Sequence, residues 1–485
     1  MIRFGTFWFI AVGWGLFQAG PLATPLRGES ALPLLAGYSQ QQVEQAAQWL
    51  ARPQDEDART AAAQLLYQLR RAGETALQKR LPKGDEEAAA QRYVAGDVIR
   101  WEGRAVDVAG VAVPQQQAEV LQMPRLFRFR LDDSARYVIT HQVPRQWSRG
   151  AGKTQPHRVR VVGVVLRTDE RGQPLVVAAP HIQWYPAADE AVAVAGQRLL
   201  AAVGFDVGRI DSVASNDKRP LAADEPFFEL LAAAEAYRGH DAADAGPPPS
   251  PVDVIDLLKD SKGHIGQWVT MPLETVRVTR IQLSAAEQTR LAISQDHYWQ
   301  LDCFGRVEGR VVIQPEPAEA EPGRGEPGRG EPERGETGGE ETESPIEFAN
   351  RYPVSVVAVT LPPQLTERMD RQVGAGSAVT MLRVPIRVNG FYYRQWSYDT
   401  EYMDAQQAGR QFGPLLMASQ IFVRDVRVAG GGIDGQAVVA IAFLVALVVI
   451  AGGVWWVGRR DRRHVQRRRE REMDRELQRG APPPR

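Results

Sequence analysis

From residue 38 to residue 80 the apolar positions return every three or four residues. Val43, Ala46, Ala47 and Leu50 form one stripe, and Ala62, Leu65, Leu66 and Leu69 form a second. That spacing puts each set on one face of a helix, so two amphipathic helices are predicted here. The period changes at Tyr93. "YVAGDVIRWEGRAVDVAGVAV" alternates, with Val98, Arg100 and Glu102 on one side and Ile99 and Trp101 on the other, and glycines interrupt it at 96, 103 and 110. "RLFRFRLDD", "RYVITHQV", "HRVRVVGVVL" and "PLVVAAPHIQWYP" continue the series. About five short strands separated by turn residues are what a small β-barrel such as an OB-fold requires.

A second block repeats this order. "GHIGQWVTMPLETVRVTRIQL" from Gly263 matches the opening strands, and "HYWQLDCFGRV" matches "RYVITHQV". "RYPVSVVAVTL" at 351–361 is paired with "PHRVRVVGVVL" at 156–166, and "VPIRVNGFYYRQWSY" at 384–398 with "PLVVAAPHIQWYP". The echo predicts an internal duplication of a β-domain. Between the blocks, "DEPFFELLAAAEAY" (224–237) sets Phe227, Leu230, Leu231 and Ala234 on one helical face, and "PVDVIDLLKD" (251–260) opens with proline and acids suited to a helix N-terminus. Gly246-Pro247-Pro248-Pro249-Ser250 reads as a stiff spacer.

The segment 315–345 repeats Gly-Arg-Gly-Glu-Pro and holds no large apolar residue. It cannot bury enough surface to offset its ordering entropy, so disorder is expected. The duplication would place it inside the second β-domain, at the loop matching 145–156.

The two ends carry membrane signals. Ala437–Val457 is an uncharged run of about 20 residues, the length a helix needs to cross roughly 30 Å of hydrocarbon. Trp455 and Trp456 lie at its end, followed by Arg459, Arg460, Arg462 and Arg463, which marks that side as cytoplasmic. At the other end Arg3 precedes an apolar stretch from Phe4 to Phe17, the form of a secretory signal peptide or an uncleaved anchor.

The fold expected is therefore α+β, two small OB-like β-barrel domains with helical connectors and a C-terminal transmembrane helix. In order, 1–27 is a signal peptide or anchor, 28–90 a helical segment and 91–186 the first OB-like domain. A connector at 187–262, the second OB-like domain at 263–428, the span 437–457 and a basic cytoplasmic tail at 458–485 complete the chain. The bulk is expected outside the cytoplasm.

Charge and candidate chemistry narrow the function. The chain holds 58 basic and 59 acidic residues, and since the tail is Arg-rich the remainder is net acidic. That argues against a nucleic-acid partner, whose phosphates require basic surface. Cys303 is the only cysteine, so there is no intramolecular disulfide and no cysteine-based zinc site. The seven histidines fall in no metal-ligand spacing and read as surface or turn residues. No metal or cofactor is expected, and no nucleophile elbow or triad is signalled. Gly150-Ala151-Gly152-Lys153-Thr154 resembles the end of a phosphate-binding loop, but Trp147 stands where that loop needs its first glycine. Thr154 leads into Pro156 and a strand rather than a helix, so no nucleotide partner is expected.

One surface stands out. "NGFYYRQWSYDTEY" (389–402) concentrates aromatics around Arg394, and "HIQWYP" (181–186) is its weaker counterpart. Tyr392, Arg394, Trp396 and Trp184 are the candidate ligand-binding residues, because stacked rings and a planar guanidinium on a barrel face can hold sugars or single strands. The bland alternative is that these side chains fill the barrel core.

The export signal, the duplicated blocks, the connector "AGQRLLAAVGFDVGRID…ADEPFFELLAAA" (195–234) and the terminal helix followed by "RRDRR" resemble signal-peptide-plus-transmembrane proteins of planctomycete-type bacteria. No activity is assigned to that family, so the resemblance implies architecture and location and no reaction. The function expected is a membrane-anchored extracytoplasmic binding or scaffolding protein of the envelope, with an envelope protein or glycan as partner. The alternative is an extracytoplasmic hydrolase drawing on His141 or His181.

Overall fold

The longer N-terminal stripe becomes the helix Glu56–Ala72, in which Ala62, Leu65, Leu66 and Leu69 are fully buried. Asp55 starts it by accepting from the amides of Asp57 and Ala58, and Gly73 ends it at φ 80°. Each buried leucine contributes roughly 1.5–3 kcal/mol by leaving water. Short helices at Gln40–Ala46, Gln48–Ala51 and Glu74–Gln78 complete this layer. The computed structural model describes residues 29–82, 92–132, 134–149, 156–222, 226–239, 246–291, 295–313, 346–373, 378–398 and 410–424. The N-terminal segment 1–27, the 150–154 motif, the tract 315–345, the apolar run 437–457 and the tail lie outside the described residues. Among the described residues no helix is long and apolar enough to cross a membrane.

The first block forms six strands: β1 Val98–Ala112, β2 Arg125–Leu131, β3 Tyr137–Thr140, β4 His157–Thr168, β5 Pro174–Ala178 and β6 Ile182–Trp184. Their order is β1-β2-β3-β5-β4, and β4 pairs back onto β1, so five strands close into a barrel. β3 and β5 run parallel, all other pairs in the ring are antiparallel, and β6 extends β4. β4 is buried on both faces. Val161 and Val165 join one core with Trp101, Phe129 and Val177, while Val162, Val164 and Leu166 join the core of the N-terminal helices. A strand covered on both sides reads as a continuous apolar run rather than an alternation, which is why "VRVVGVVL" looks as it does.

The second block supplies β7 Ser250–Pro251, β8 Trp268–Gln282, β9 His297–Ile313, β10 Ile346–Ala358, β11 Val379–Met381, β12 Pro385–Tyr398 and β13 Gln411–Val423. Five of them repeat the ring: β8-β9-β10-β13-β12, with β12 pairing back onto β8 and with β10 parallel to β13. A mixed α+β chain with a closed five-strand barrel and a second sheet of the same strand order is thus the architecture. The spacer at 246–250 is partly strand, since Ser250 and Pro251 pair with Val269 and Thr270 of β8.

The repeat holds, but its register differs from the one read in the sequence. β10, likened to 156–166, is the third strand of its ring, whereas β4 is the fourth; the true counterpart of β4 is β12. Both β4 and β10 are valine-rich strands with buried centres, so composition does not distinguish them. The acidic tract therefore lies between the second and third strands, the counterpart of the turn at 132–136 and not of 145–156.

The connector binds the two rings into one body. Phe227, Leu230, Leu231 and Ala234 are buried on the helix Phe227–Arg238, as their spacing predicts. They belong to one continuous core that includes Trp101 and Val161 of the first ring and Val269, Phe391 and Leu416 of the second.

Candidate functional site

The aromatic stretch of β12 faces the connector. Tyr392 is fully buried, its hydroxyl 2.8 Å from Ser261 Oγ, which donates to Asp217 at 2.6 Å. Arg394 is fully buried too. Its guanidinium donates to the carbonyls of Arg219 (2.6 Å), Gln395 (2.8 Å) and Pro220 (3.0 Å), and Gln395 donates to the carbonyls of Leu257 and Leu258. Trp396 is half-buried and lies against Tyr398, ring centres 4.9 Å apart. The strand is a clamp that satisfies otherwise orphaned carbonyls of two connector segments. Trp184 is buried in the first ring, where its indole donates to Glu190 at 2.9 Å.

Glu190 also meets His157 Nδ1 at 2.5 Å, and the His157 ring stacks on Trp147 at 4.4 Å with the planes 7° apart. His157 is therefore no surface residue, contrary to the expectation from its spacing. Trp147, the residue that breaks the phosphate-loop pattern, is a core side chain on the short helix Arg145–Arg149.

Polar side chains converge elsewhere, in a cleft of about 940 Å³ where the N-terminal helices, the end of the first ring, the connector and the second ring meet. Glu74 comes from the helix Glu74–Gln78, Gln183 and Tyr185 from the end of β6, Asp206 and Arg209 from a tight turn of the connector, and Glu229 and Glu235 from the helix Phe227–Arg238. Ala232, Ala233 and Ala236 line the same helix, and Thr289, Gln295 and Val359 close the far side.

Arg209 is the hub. It reaches Glu229 at 3.0 Å, Glu74 at 3.1 Å and Asp206 at 3.6 Å. Burial works against its charge, but Glu229, Glu74 and Asp206 outweigh it and hold its pKa above the ordinary value. Asp206 is fixed by the turn, its Oδ1 accepting from the amides of Trp184 (2.8 Å) and Gly208 (2.9 Å). Its Oδ2 meets His181 Nε2 at 2.5 Å. Burial alone would lower the His181 pKa, yet Asp206, aided by Glu74, raises it above the usual histidine value. Nearby His141 goes the other way: burial, with Arg70 and His181 adding repulsion, lowers it to about 4. Gln183 and Gln78 donate to Glu74 Oε1, and Tyr185 donates to Gln183.

The arrangement offers fixed acceptors and donors on one concave wall. Among the described residues no group of histidine, cysteine and carboxylate side chains could hold a metal ion. Sequence reasoning named His181 but missed Glu74, Asp206, Arg209 and Glu229. Only the Asp206-x-x-Arg209 spacing is local; Glu74 lies 135 residues from Arg209 along the chain. No family model matches this chain, and no curated protein matches it either.

Proposed function

We propose that the chain is a membrane-anchored extracytoplasmic binding module, built from two OB-like barrels that arose by duplication, with the junction cleft as its ligand site. The observation that carries this reading is the convergence of Glu74, Asp206, Arg209 and Glu229 on one cavity from three separate parts of the chain. Ligand sites favour such junctions, where a concave surface gathers a few oriented polar groups. The location rests on the sequence, on the uncharged run 437–457 and the arginines after it.

Two measurements test it. A reporter fused after Arg463 should behave as cytoplasmic and one inserted in 318–340 as exported; a cytoplasmic result for the insert ends the envelope reading. A pull-down from envelope extract with the full chain should recover a ligand that the cleft-filling variant Ala236→Trp does not.

A hydrolase is the second reading, and the His181–Asp206 contact favours it, because a carboxylate-oriented imidazole is a general-base arrangement. A hydrolase substrate panel on the full chain separates the two: turnover that disappears in His181→Ala selects the enzyme.

A further inference from the structure

We infer that the occupant of the junction cleft is a neutral, hydroxyl-rich chain, an oligosaccharide segment; this rests on the cleft being the binding site proposed above. Its chemistry decides against the other polar classes in turn. An anion would face Glu74, Asp206, Glu229 and Glu235 with Arg209 as the cation among the first three. A cation would have to compete with Arg209, whose guanidinium already lies within 3.0–3.6 Å of Glu74, Asp206 and Glu229, or with Arg238, which holds the fourth cleft carboxylate, Glu235, at 2.6 Å.

Hydroxyl groups need displace neither. Each carboxylate offers about four lone-pair positions, so one that already accepts from a guanidinium or an amide still accepts from a hydroxyl, and each hydroxyl both donates and accepts. The wall interleaves the two kinds of group in the manner such a ligand uses. Glu74 and Glu229 accept, while Arg209 donates and the Gln183 amide can do either.

Ala232 and Ala236 line the cleft with small apolar surface, which suits the C–H face of a sugar ring. The volume of about 940 Å³ sits at the upper end of the roughly 300–1,000 Å³ typical of ligand pockets, room for several linked rings rather than one.

The test uses the full chain in detergent and three probes matched in length: a neutral gluco-oligosaccharide or N-acetylglucosamine oligosaccharide, an oligouronate and an oligolysine. The neutral oligosaccharide should bind best. Ala236→Trp, at an exposed position on the cleft wall, should weaken it at least tenfold, and Glu229→Gln should weaken it several-fold. Thr75→Trp, on the facing helix, provides a second way to fill the cleft if Ala236→Trp melts early. Preference for oligolysine or oligouronate, with that binding lost on filling the cleft, overturns the glycan assignment and leaves the site standing. Neutral oligosaccharide bound equally by both tryptophan variants overturns the assignment to this cleft. If filling the cleft alters no binding at all, extracted envelope ligands included, the site itself falls and the assignment with it.

Discussion

Gly163 and Gly390 hold the same place in the two rings. Each lies on the fourth strand opposite the second residue of the first strand, Gly163 across from Ile99 and Gly390 across from Val269. A Cβ on Gly163 would stand 2.4 Å from the Ala178 carbonyl oxygen, and one on Gly390 2.4 Å from the Met417 carbonyl oxygen. In both rings the fourth strand crosses the fifth so closely that only hydrogen fits. Gly163→Ala and Gly390→Ala should each destabilise the protein by about 2 kcal/mol or more, since backbone rather than a flexible side chain must move. Chemical denaturation of the two variants checks this, and an unchanged midpoint in either would break the equivalence of the rings.

Arg209 ties the N-terminal helices to the connector and to the helix Phe227–Arg238. Arg209→Met should destabilise by about 2 kcal/mol, below the 3–5 kcal/mol of a fully buried pair because the guanidinium keeps some solvent contact. Adding Glu229→Gln should recover part of the loss, since one repelling carboxylate is then gone. A double-mutant cycle reads the coupling; strict additivity would show that Arg209 and Glu229 act independently.

The two histidines near the cleft should give opposite pH signatures. His141 falls from an ordinary 6.5 to about 4 in the folded protein, so between those values the unfolded chain takes up the proton first and stability falls as the pH is lowered. His141→Gln should flatten that acid loss. His181 is raised by Asp206, so its contribution is complete below the unfolded value near 6.5 and fades as pH rises through the higher folded value. His181→Gln should therefore lower the melting temperature more at pH 6 than at pH 9. Melting curves across pH 4–9 decide both, and equal effects of His181→Gln at the two pH values would contradict the assignment.

The strands flanking the acidic tract are direct partners, with Ile313 opposite Ile346 at the end of the β9–β10 ladder. β9 is also held by β8 and β10 by β13. Replacing 316–343 with a short Gly/Ser linker should change the melting temperature little, because the closure cost of a connection grows only slowly with its length. Cleavage at Arg324, Arg329 or Arg334 should leave two fragments that elute together on gel filtration. Fragments that separate would mean that the ladder does not hold across the cut.

Local periodicity was sufficient for the long elements with a clear apolar face, but not for the short helices Gln115–Leu121 and Ala285–Leu291 or for Pro363–Val373. The spacing of Leu65, Leu66 and Leu69 set the long helix and its buried face, the valine run at 161–166 set a strand, and Phe227, Leu230, Leu231 and Ala234 set the connector helix, because periodicity records which side of an element leaves water. The echo between the two blocks pointed to a repeated β-unit but set β9, β10 and β12 against β3, β4 and β5, whereas their counterparts by strand order are β2, β3 and β4. Which strand corresponds to which depended on pairing, since β4 and β10 share a composition but occupy the fourth and third places of their rings. The roles of Tyr392 and Arg394 were likewise tertiary: in sequence they are an aromatic strand with a cation, and only the folded connector brings the Ser261 hydroxyl and the carbonyls of Arg219 and Pro220 against them. The cleft was hidden for the same reason. Glu74, Asp206 and Glu229 are ordinary surface-type residues until packing of the rings around a shared core carries them to Arg209, and no spacing along the chain encodes a meeting that depends on how whole layers dock.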